Sequence, residues 1–126
     1  MSHKHEINRY LNSICIVNIT YFVVPAIRLN GFQNYGRVEI FFNGTWGGLC
    51  GNTWDMNDAT VVCHQLGFTS AVAAFRADYV LDNPGPTWLD INCIGNESSI
   101  FQCANSGLGK YKCLYKKAGV SCSSQG

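Results

Sequence analysis

The chain has 126 residues, of which 47% are hydrophobic and 13% are charged, and its formal net charge is +1. One domain with a modest core is the default for this length. The near-neutral charge excludes the strong overall basicity of a typical nucleic-acid-binding protein, so any affinity for polyanions requires a local patch. Seven cysteines are many for so short a chain. Because no C-x-x-C pair occurs, they favour an oxidised, extracellular domain over a zinc site.

The first 26 residues differ in character from the rest of the chain. Two basic residues precede an apolar run over 11–24, and Ala26 is a small residue at a cleavage point. This pattern predicts a secretory signal peptide over 1–26, with an irregular leader or an extra strand as the alternative. The run is too short and too polar for a membrane span of about 20 residues. Cleavage would remove Cys15 and leave six cysteines.

The central stretch combines a hairpin with a helix. Asn43 and Gly44 tolerate positive φ at both central positions of a two-residue turn, which predicts a β-hairpin. A helix should follow, with Asp55 as its N-cap. Apolar side chains recur in it at 3.6-residue spacing and place Cys63 on the buried face, and Gly67 ends it.

The other predicted elements are short. In chain order they are a strand at 27–29, a polar turn at 30–35, hairpin strands at 37–42 and 45–50, a strand or half-buried loop at 69–75, a loop at 82–86, a strand at 87–91 and a strand at 118–120. Small apolar residues fit both a strand and a half-buried loop, so that alternative stays open. The sequence contains no internal repeat and no heptad pattern, which excludes a solenoid and a coiled coil.

Six segments carry a family pattern in order: IRLNG, GRVEIFFNGTWGGLC, WDMNDATVVCHQLGF, WLDINC, CIGNESSIFQC and AGVSC. Together they resemble the scavenger receptor cysteine-rich domain family over residues 27–123, which leaves a short tail at 124–126. Tyr35 and Phe68 stand where eight-cysteine members carry an additional pair, so the resemblance is to the six-cysteine type. It implies an α+β fold in which a curved antiparallel sheet cradles one α-helix.

The resemblance also implies how the cysteines pair. Six cysteines allow fifteen pairings, and the residues alone leave all of them open. The family pattern implies three disulfides: Cys50 with Cys113, Cys63 with Cys122, and Cys93 with Cys103. Such bridges fasten the helix to the last strand and close further loops, so we expect reduction to unfold or severely loosen the domain.

Two sequons lie in predicted turns. Asn43 begins one on the hairpin turn, and Asn96 begins another in the loop between Cys93 and Cys103. Both are predicted N-glycosylation sites in a secreted chain. Asn18 also begins a sequon, but it lies in the predicted leader.

A calcium site of the family type is incomplete in this sequence. Family members often bind calcium through two adjacent acidic residues after the second-strand cysteine, together with the glutamate of the C-x-G-x-E motif. Here Gly51 and Asn52 replace the acidic pair, and only Glu97 remains. A hard cation needs several oxygen ligands, so we predict no cofactor. The other candidate carboxylates, explained as a cap, a helix-start charge and a turn former, are Asp55, Asp58 and Asp90.

A basic and aromatic run near the C-terminus is the candidate ligand-binding surface. Lysines on an exposed loop attract phosphate or sulfate groups, and tyrosine rings stack on sugars or bases. We therefore predict a surface for polyanionic ligands, with a solvated lysine-rich loop as the alternative. Its predicted members are Lys110, Lys112, Lys116, Lys117, Tyr111 and Tyr115. The sequence leaves open whether three arginines face the same way: Arg28, Arg37 and Arg76.

Catalysis has little support in the sequence. His64, the one histidine beyond the leader, follows a cysteine expected to be in a disulfide and is interpreted as a helix-surface residue. The resemblance implies a non-catalytic extracellular module, secreted or part of a cell-surface ectodomain, that binds anionic microbial or host ligands. The alternatives are a protein-interaction module of a larger receptor or adhesive protein, and an accessory domain of an extracellular enzyme. We predict neither specific nucleic-acid binding nor a membrane span.

Overall fold

The computed structural model describes the backbone of residues 8–11, 14–17 and 20–23, and residues 25–77, 85–113 and 116–125. Its elements are β1 (Asn8–Leu11), β2 (Ile14–Val17), β3 (Thr20–Val23), β4 (Ile27–Phe32), β5 (Tyr35–Phe42), β6 (Thr45–Leu49), α1 (Met56–Gln65), β7 (Ser70–Ala77), β8 (Thr87–Leu89), β9 (Ile91–Asn92), a 3-10 helix (Ile100–Gln102), β10 (Ala104–Asn105) and β11 (Lys117–Ser123). In the predicted leader, β1, β2 and β3 form an antiparallel sheet of their own. Cleavage of this segment stays a prediction.

One six-stranded sheet carries the rest of the architecture. Its strand order is β7-β11-β5-β6-β8, and β4 also pairs with β5. The pairs are antiparallel except β6 with β8, which is parallel. The sheet curls around α1, which packs mainly against β7 and β11. The predicted α+β fold with a curved sheet and one α-helix is confirmed, with the single parallel pair as the departure from it.

The hairpin forms where the sequence predicts it. Asn43 and Gly44 have φ angles of 53° and 79°, and Phe42 pairs with Thr45 on either side of them. Positive φ at both central residues matches the right-handed twist of the two strands. The turn therefore fixes the register of β5 against β6.

The helix begins and ends at the predicted residues. The side chain of Asp55 accepts hydrogen bonds from the backbone N–H groups of Asn57 and Asp58, and the Asp58 carboxylate accepts the N–H of Asp55 in return. This reciprocal capping box satisfies N–H groups that the first turn leaves without partners. At the other end, Gly67 follows the helix with φ 95°.

β4 is longer than the sequence predicts. It runs over Ile27–Phe32, where a strand over 27–29 and a turn from Asn30 were expected. Gly31 pairs with Gly36, and a Cβ on Gly36 would meet the carbonyl group of Asn30. These glycines therefore let two strands approach closely rather than ending one of them.

Three further predictions concern the second half of the chain. The open alternative at 69–75 is resolved as the strand β7, which pairs with β11. The strand predicted over 87–91 divides into β8 and β9 on either side of Asp90. The predicted loop at 82–86 lies partly outside the described residues, and its described members Gly85 and Pro86 belong to no strand.

The hydrophobic core lies between the sheet and α1. Val38, Ile40 and Leu49 from the sheet are fully buried, as are Val62 and Cys63 from the helix. Full burial of such a side chain stabilises the fold by about 1.5 to 3 kcal/mol. The predicted burial of Cys63 is confirmed.

Three disulfides connect these elements, and they are the pairs that the resemblance implies. Cys63–Cys122 joins α1 to β11, Cys50–Cys113 joins the end of β6 to the segment before β11, and Cys93–Cys103 closes a short loop. The two cysteines are 59 residues apart in sequence in Cys63–Cys122, 63 residues apart in Cys50–Cys113 and 10 residues apart in Cys93–Cys103. The first two therefore constrain most of the domain. Among the described residues, no helix has the length and apolar character to cross a membrane.

The three tryptophans occupy two kinds of environment. Trp54 and Trp88 are each 4% exposed, and their indole N–H groups donate to the carbonyl oxygens of Gly119 at 2.8 Å and Thr45 at 3.0 Å. Trp46 is half-buried and lies beneath a guanidinium group, that of Arg28, which is 4.0 Å from the ring centroid. Core packing therefore explains two of the three indoles.

Candidate ligand-binding surface

The segment that carries two of the predicted lysines is fastened beside β8. The Tyr111 N–H donates to the Thr87 carbonyl at 3.0 Å, and the Gly109 N–H donates to the Trp88 carbonyl at 3.1 Å. The Tyr111 hydroxyl donates to Asp90 Oδ2 at 3.0 Å, which raises the pKa of Tyr111 and keeps the hydroxyl protonated. The tyrosine predicted to stack on ligands therefore uses its hydroxyl to hold its own segment in place.

Lys110 and Lys112 lie at one cleft. Both are exposed, and together with Tyr111, Pro86 and Thr87 they line a space of about 460 Å³. No hydrogen bond or ion pair within the described residues engages either ammonium group. The structure thus brings these two predicted residues together with both charges directed to solvent.

Lys117 occupies a different environment from these two lysines. Its ammonium donates to the carbonyl oxygens of Gly85 at 2.7 Å and Pro86 at 3.1 Å. Its aliphatic part crosses Gly48, where a Cβ would lie 2.8 Å from the lysine Cδ. Burial, and then the nearby charge of Arg37, lower the pKa of Lys117. The sequence grouped Lys117 with the exposed lysines, whereas in the structure it supports the backbone at Gly85 and Pro86.

Lys116 and Arg76 lie near Gly51, just beyond the end of β6. The Gly51 N–H donates to the Lys116 carbonyl at 2.8 Å, and a Cβ on Gly51 would meet that same oxygen. Arg76 donates to the carbonyl oxygens of Gly51 at 2.6 Å and Trp54 at 3.5 Å. The side chains of Lys116 and Arg76 are exposed. The Lys116 carbonyl leaves room only for glycine at position 51. Tyr115 lies outside the described residues.

Arg28 and Arg37 do not join the lysines but converge on Glu39. The Glu39 carboxylate accepts hydrogen bonds from Arg28 at 2.9 Å and from Arg37 at 2.9 Å, with Asn30 as a further donor at 3.2 Å. Arg37 and Glu39 are 8% and 5% exposed. Burial acts to raise the pKa of Glu39, but hydrogen bonds from Arg28, Asn30 and Arg37 outweigh it and the pKa is lowered. Glu39 thus offsets one of the two guanidinium charges and holds both arginines on the sheet.

Glu97 caps a turn and is not assembled into a metal site. Its carboxylate accepts the backbone N–H groups of Ile94 and Gly95, each at 2.9 Å, and these bonds lower its pKa. The sulfur atoms of Cys93 and Cys103 lie within 4.8 Å of it, but they are joined to each other and offer no thiolate. At position 51, the space that an acidic side chain would need is filled by the Lys116 carbonyl and the Arg76 side chain.

Asp58 is a buried carboxylate that the sequence predicted only as a charge at the helix start. It is fully buried, and Oδ1 accepts the N–H of Cys93 at 2.7 Å while Oδ2 accepts the N–H of Asp55. Burial raises the pKa of Asp58 from 3.8 to about 6. Asp58 thus links the helix cap to the loop closed by Cys93. The sequence predicted Asp55 as the N-cap, whereas the contact of Asp58 with Cys93 joins residues 35 positions apart and was not predicted.

The remaining predicted sites lie apart on the surface. Asn43 and Asn96 are both exposed, one at the hairpin turn and the other between Cys93 and Cys103. His64 is exposed on α1, and its Nε2 lies 2.9 Å from the Thr69 carbonyl. The placement of His64 on the helix surface is confirmed.

Comparison with known proteins agrees with this fold. The sequence matches the profile of the scavenger receptor cysteine-rich domain over residues 30–123. The SRCR domain of mouse MARCO, in its dimeric form, is 39% identical with a TM-score of 0.62, over 76% of this chain and 93% of that chain. The third SRCR domain of murine neurotrypsin is 35% identical with a TM-score of 0.65, over 78% and 95%. The chain described here, with its curled sheet and three disulfides, belongs to the scavenger receptor cysteine-rich domain family.

Proposed function

We propose that this domain is a non-catalytic module that binds anionic microbial or host ligands through Lys110 and Lys112, with added attraction from Lys116. The family consists of extracellular recognition modules in receptors. A module of this kind works by surface contact, so the proposal depends on which charges face solvent on a rigid support. In this fold, backbone hydrogen bonds to β8 provide that support for the first two lysines.

The single observation that carries the proposal is the pair of ammonium groups at the cleft. Two like charges held on one short segment raise the local concentration of anions without a high net charge. Asp90 Oδ2 accepts the hydrogen bond of the Tyr111 hydroxyl, which lies on the same segment as the two lysines. Lys110 and Lys112 therefore remain the charges that a ligand meets at this cleft.

We also propose that the chain is secreted after removal of residues 1–26 and carries glycans on Asn43 and Asn96. Both asparagines are exposed, Asn43 in the hairpin turn and Asn96 in the loop between Cys93 and Cys103. Disulfides persist in oxidising compartments, which supports an extracellular site of action. The mass of the secreted product before and after glycosidase treatment reports both cleavage and glycan occupancy.

Heparin chromatography tests the proposed ligand class. We expect the wild-type domain to be retained and to elute with salt, and the variant K110A/K112A/K116A to elute much earlier because three attractive charges are lost. Lys117 stays unchanged because its ammonium supports the chain itself. The control Arg28→Gln removes one positive charge from the Glu39 network and should shift the elution much less than the triple variant does. Unchanged elution of the triple variant, with normal circular dichroism, would reject the proposal.

A second candidate function, a protein-interaction module, is favoured by an exposed aromatic cluster. Phe32 is 68% exposed and stacks on Tyr35 with 5.3 Å between ring centroids, and Tyr35 contacts Phe75 at 5.7 Å. Exposed aromatic groups of this kind are enriched at protein interfaces. Loss of partner binding in Phe32→Ser, with heparin retention intact, would support this function.

A further inference from the structure

We propose that the Phe42 side chain binds the first sugar of a glycan on Asn43, so that the glycan becomes part of the folded hairpin of β5 and β6. The ligand is N-acetylglucosamine, the innermost sugar of an N-linked glycan. This inference rests on the proposed glycosylation of Asn43 and assigns a packing site and a stabilising effect to that glycan. It does not depend on the lysines.

The attachment point lies at an open end of the hairpin. Asn43 is exposed, and no hydrogen bond within the described residues engages its side-chain amide. A Cβ on Gly44 would meet no atom within 4 Å. Both residues have positive φ, so the turn fixes the backbone that carries the amide. A sugar on Asn43 therefore has room, and its attachment point is ordered before the sugar is added.

The strand pairing gives each face of the hairpin its own aromatic side chain beside the turn. On one face Phe42 lies directly opposite Thr45, and on the other Phe41 lies directly opposite Trp46. Successive side chains of a strand point to opposite faces, so the two phenylalanines do not share a face. Because Asn43 lies at the end of the hairpin, its first sugar has one phenyl ring within reach on either face.

The partners of the two phenyl rings favour Phe42 as the binding site. Phe41 packs against the large Trp46 side chain, with 5.2 Å between the ring centroids. Phe42 is half-buried, and its cross-strand partner Thr45 is too small to cover a phenyl ring. Phe42 also precedes Asn43 directly in the chain. The open part of the Phe42 ring, bordered by the threonine methyl group, is therefore the surface that the sugar meets.

Trp88 holds this binding surface in place. Its ring meets the Phe42 ring edge to face, with 5.2 Å between the centroids, and its indole N–H donates to the Thr45 carbonyl at 3.0 Å. Trp88 thus contacts the aromatic ring and also the strand that carries the threonine. A ring that is already fixed loses little conformational freedom when a sugar packs on it, which increases the net gain.

The chemistry of the sugar suits an aromatic ring. β-linked N-acetylglucosamine carries its ring substituents equatorially, so each face of the sugar presents C–H groups. The face of a phenyl ring is the negative part of its quadrupole and attracts C–H groups, and the contact removes apolar surface from water. Because sugar and ring belong to neighbouring residues, the contact forms at a high effective concentration.

Thermal unfolding of the secreted chain with and without one sugar tests the contact. Both samples carry Asn96→Gln, and an endoglycosidase trims the glycan on Asn43 to a single N-acetylglucosamine. The reference is the same sequence produced without glycosylation. We expect the sugar to raise the midpoint of thermal unfolding by about 3 °C or more, the shift that a contact of aromatic strength produces in a domain of this size.

Phe42→Leu and Phe41→Leu are matched variants, because each removes one phenyl ring beside the turn and keeps an apolar side chain. The shift caused by the sugar should fall below about 1 °C in Phe42→Leu and remain in Phe41→Leu. Comparing each variant with its own unglycosylated form cancels the direct effect of the substitution on stability. A shift that persists in Phe42→Leu but disappears in Phe41→Leu, which removes a ring that is 42% exposed, would overturn the assignment.

Proton NMR of the glycosylated Asn96→Gln protein provides a measurement that needs no change at Phe42. Protons on one face of the sugar should move upfield, because they lie over a phenyl ring, and should show nuclear Overhauser effects to the ring protons of Phe42. Sugar protons with the chemical shifts of an unfolded glycopeptide would overturn the inference.

Peptide mapping by mass spectrometry separates this inference from the proposed glycosylation. If Asn43 carries a glycan and the sugar neither raises the midpoint nor contacts Phe42, the packing site is wrong and the glycosylation stands. If Asn43 is unmodified in the secreted protein, both proposals fail.

Discussion

A single buried carboxyl group, that of Asp58, connects two parts of the domain. It accepts one backbone N–H from the helix cap and another from Cys93, and it has no access to solvent. Removing the oxygen that accepts the N–H of Cys93 would leave a buried donor without a partner, which costs about 1 to 3 kcal/mol. The same burial makes ionisation of this carboxyl group unfavourable, because ionised groups lose hydration in the interior.

The stability of the domain should therefore depend on the titration of Asp58. Its pKa is raised from 3.8 to about 6, so the folded state binds the proton more tightly than the unfolded state. The contribution of this group to the free energy of unfolding is fully present below about pH 4 and is lost as the pH rises through 6. At about 1.4 kcal/mol per pKa unit the change is about 1 to 3 kcal/mol.

Urea unfolding of the wild type and of Asp58→Asn at several pH values checks this. Asparagine does not titrate, so the stability advantage of the wild type should be larger at acidic than at neutral pH. Taking the difference between the two proteins cancels the opposite contribution of Glu39, whose pKa is lowered. A difference that is constant with pH, or larger at neutral pH, contradicts the prediction.

At the level of residues, sequence reasoning succeeded where the signal was local. Asp55 and the Asn43-Gly44 turn act on neighbours within a few positions, and both were predicted correctly. Lys117 was misplaced because its ammonium bonds to Gly85 and Pro86, more than 30 residues away in sequence. Pattern alone does not report which way a lysine faces on a sheet.

The contact between the end of β6 and the segment before β11 leaves no room for a side chain at position 51, where the family calcium pattern has an acidic residue. The Gly51 N–H meets the carbonyl of Lys116, and the side of Gly51 that would carry a Cβ is occupied by that oxygen. Arg76 adds a positive charge to the same place through its bond to the Gly51 carbonyl. An acidic side chain at position 51 thus requires the backbone to move.

Restoring acidic residues one at a time tests this account. Gly51→Asp should lower the free energy of unfolding by about 1 to 3 kcal/mol, because the new side chain displaces the Lys116 carbonyl. Asn52→Asp, at an exposed position, should change it by less than about 0.5 kcal/mol. Chemical denaturation with and without millimolar calcium measures both. Equal tolerance of the two substitutions would show that the space at position 51 is not limiting.

The elements themselves were predicted unevenly. The helix and the hairpin have strong boundary signals, whereas β4 was shortened because Asn30 and Gly31 are typical turn residues. Their role became clear only with Gly36 opposite Gly31, where two strands come close together. The parallel pairing of β6 with β8 joins segments nearly 40 residues apart and has no signal in either segment.

The molecule as a whole depends on covalent links between distant segments. Cys63–Cys122 and Cys50–Cys113 close loops of about 60 residues, so each removes more freedom from the unfolded chain than Cys93–Cys103, which closes a loop of about ten. On the chain-entropy model the long loops contribute about 4 kcal/mol each and the short loop about 3 kcal/mol.

Paired alanine substitutions test this order. C63A/C122A should lower the free energy of unfolding by about 1.5 kcal/mol more than C93A/C103A does, because its loop is longer. All four cysteines are buried, so the loss of packing on truncation is similar in the two variants. Urea unfolding at a fixed pH provides the measurement. A larger loss for the short loop would contradict the entropic argument and indicate that local contacts around Asp58 dominate.

For the molecule as a whole, the fold and the disulfide pattern could be predicted from the family resemblance, whereas the cleft could not. The two segments that line it, at Pro86 and Thr87 and at Lys110 and Lys112, are more than 20 residues apart in sequence. The hydrogen bond from the Tyr111 N–H to the Thr87 carbonyl that joins them is a tertiary contact. Composition could nominate the lysines but could not show which of them share a cleft.

The unequal burial of the three indoles gives the domain its own optical probes. Trp54 and Trp88 are enclosed in the core, so their fluorescence should have a short emission wavelength. It should also be protected from aqueous quenchers until the chain unfolds. Trp46, half open to water beneath the guanidinium of Arg28, should respond to iodide, which that positive charge attracts. Fluorescence from the unlabelled protein can thus distinguish local opening of the hairpin from unfolding of the whole domain.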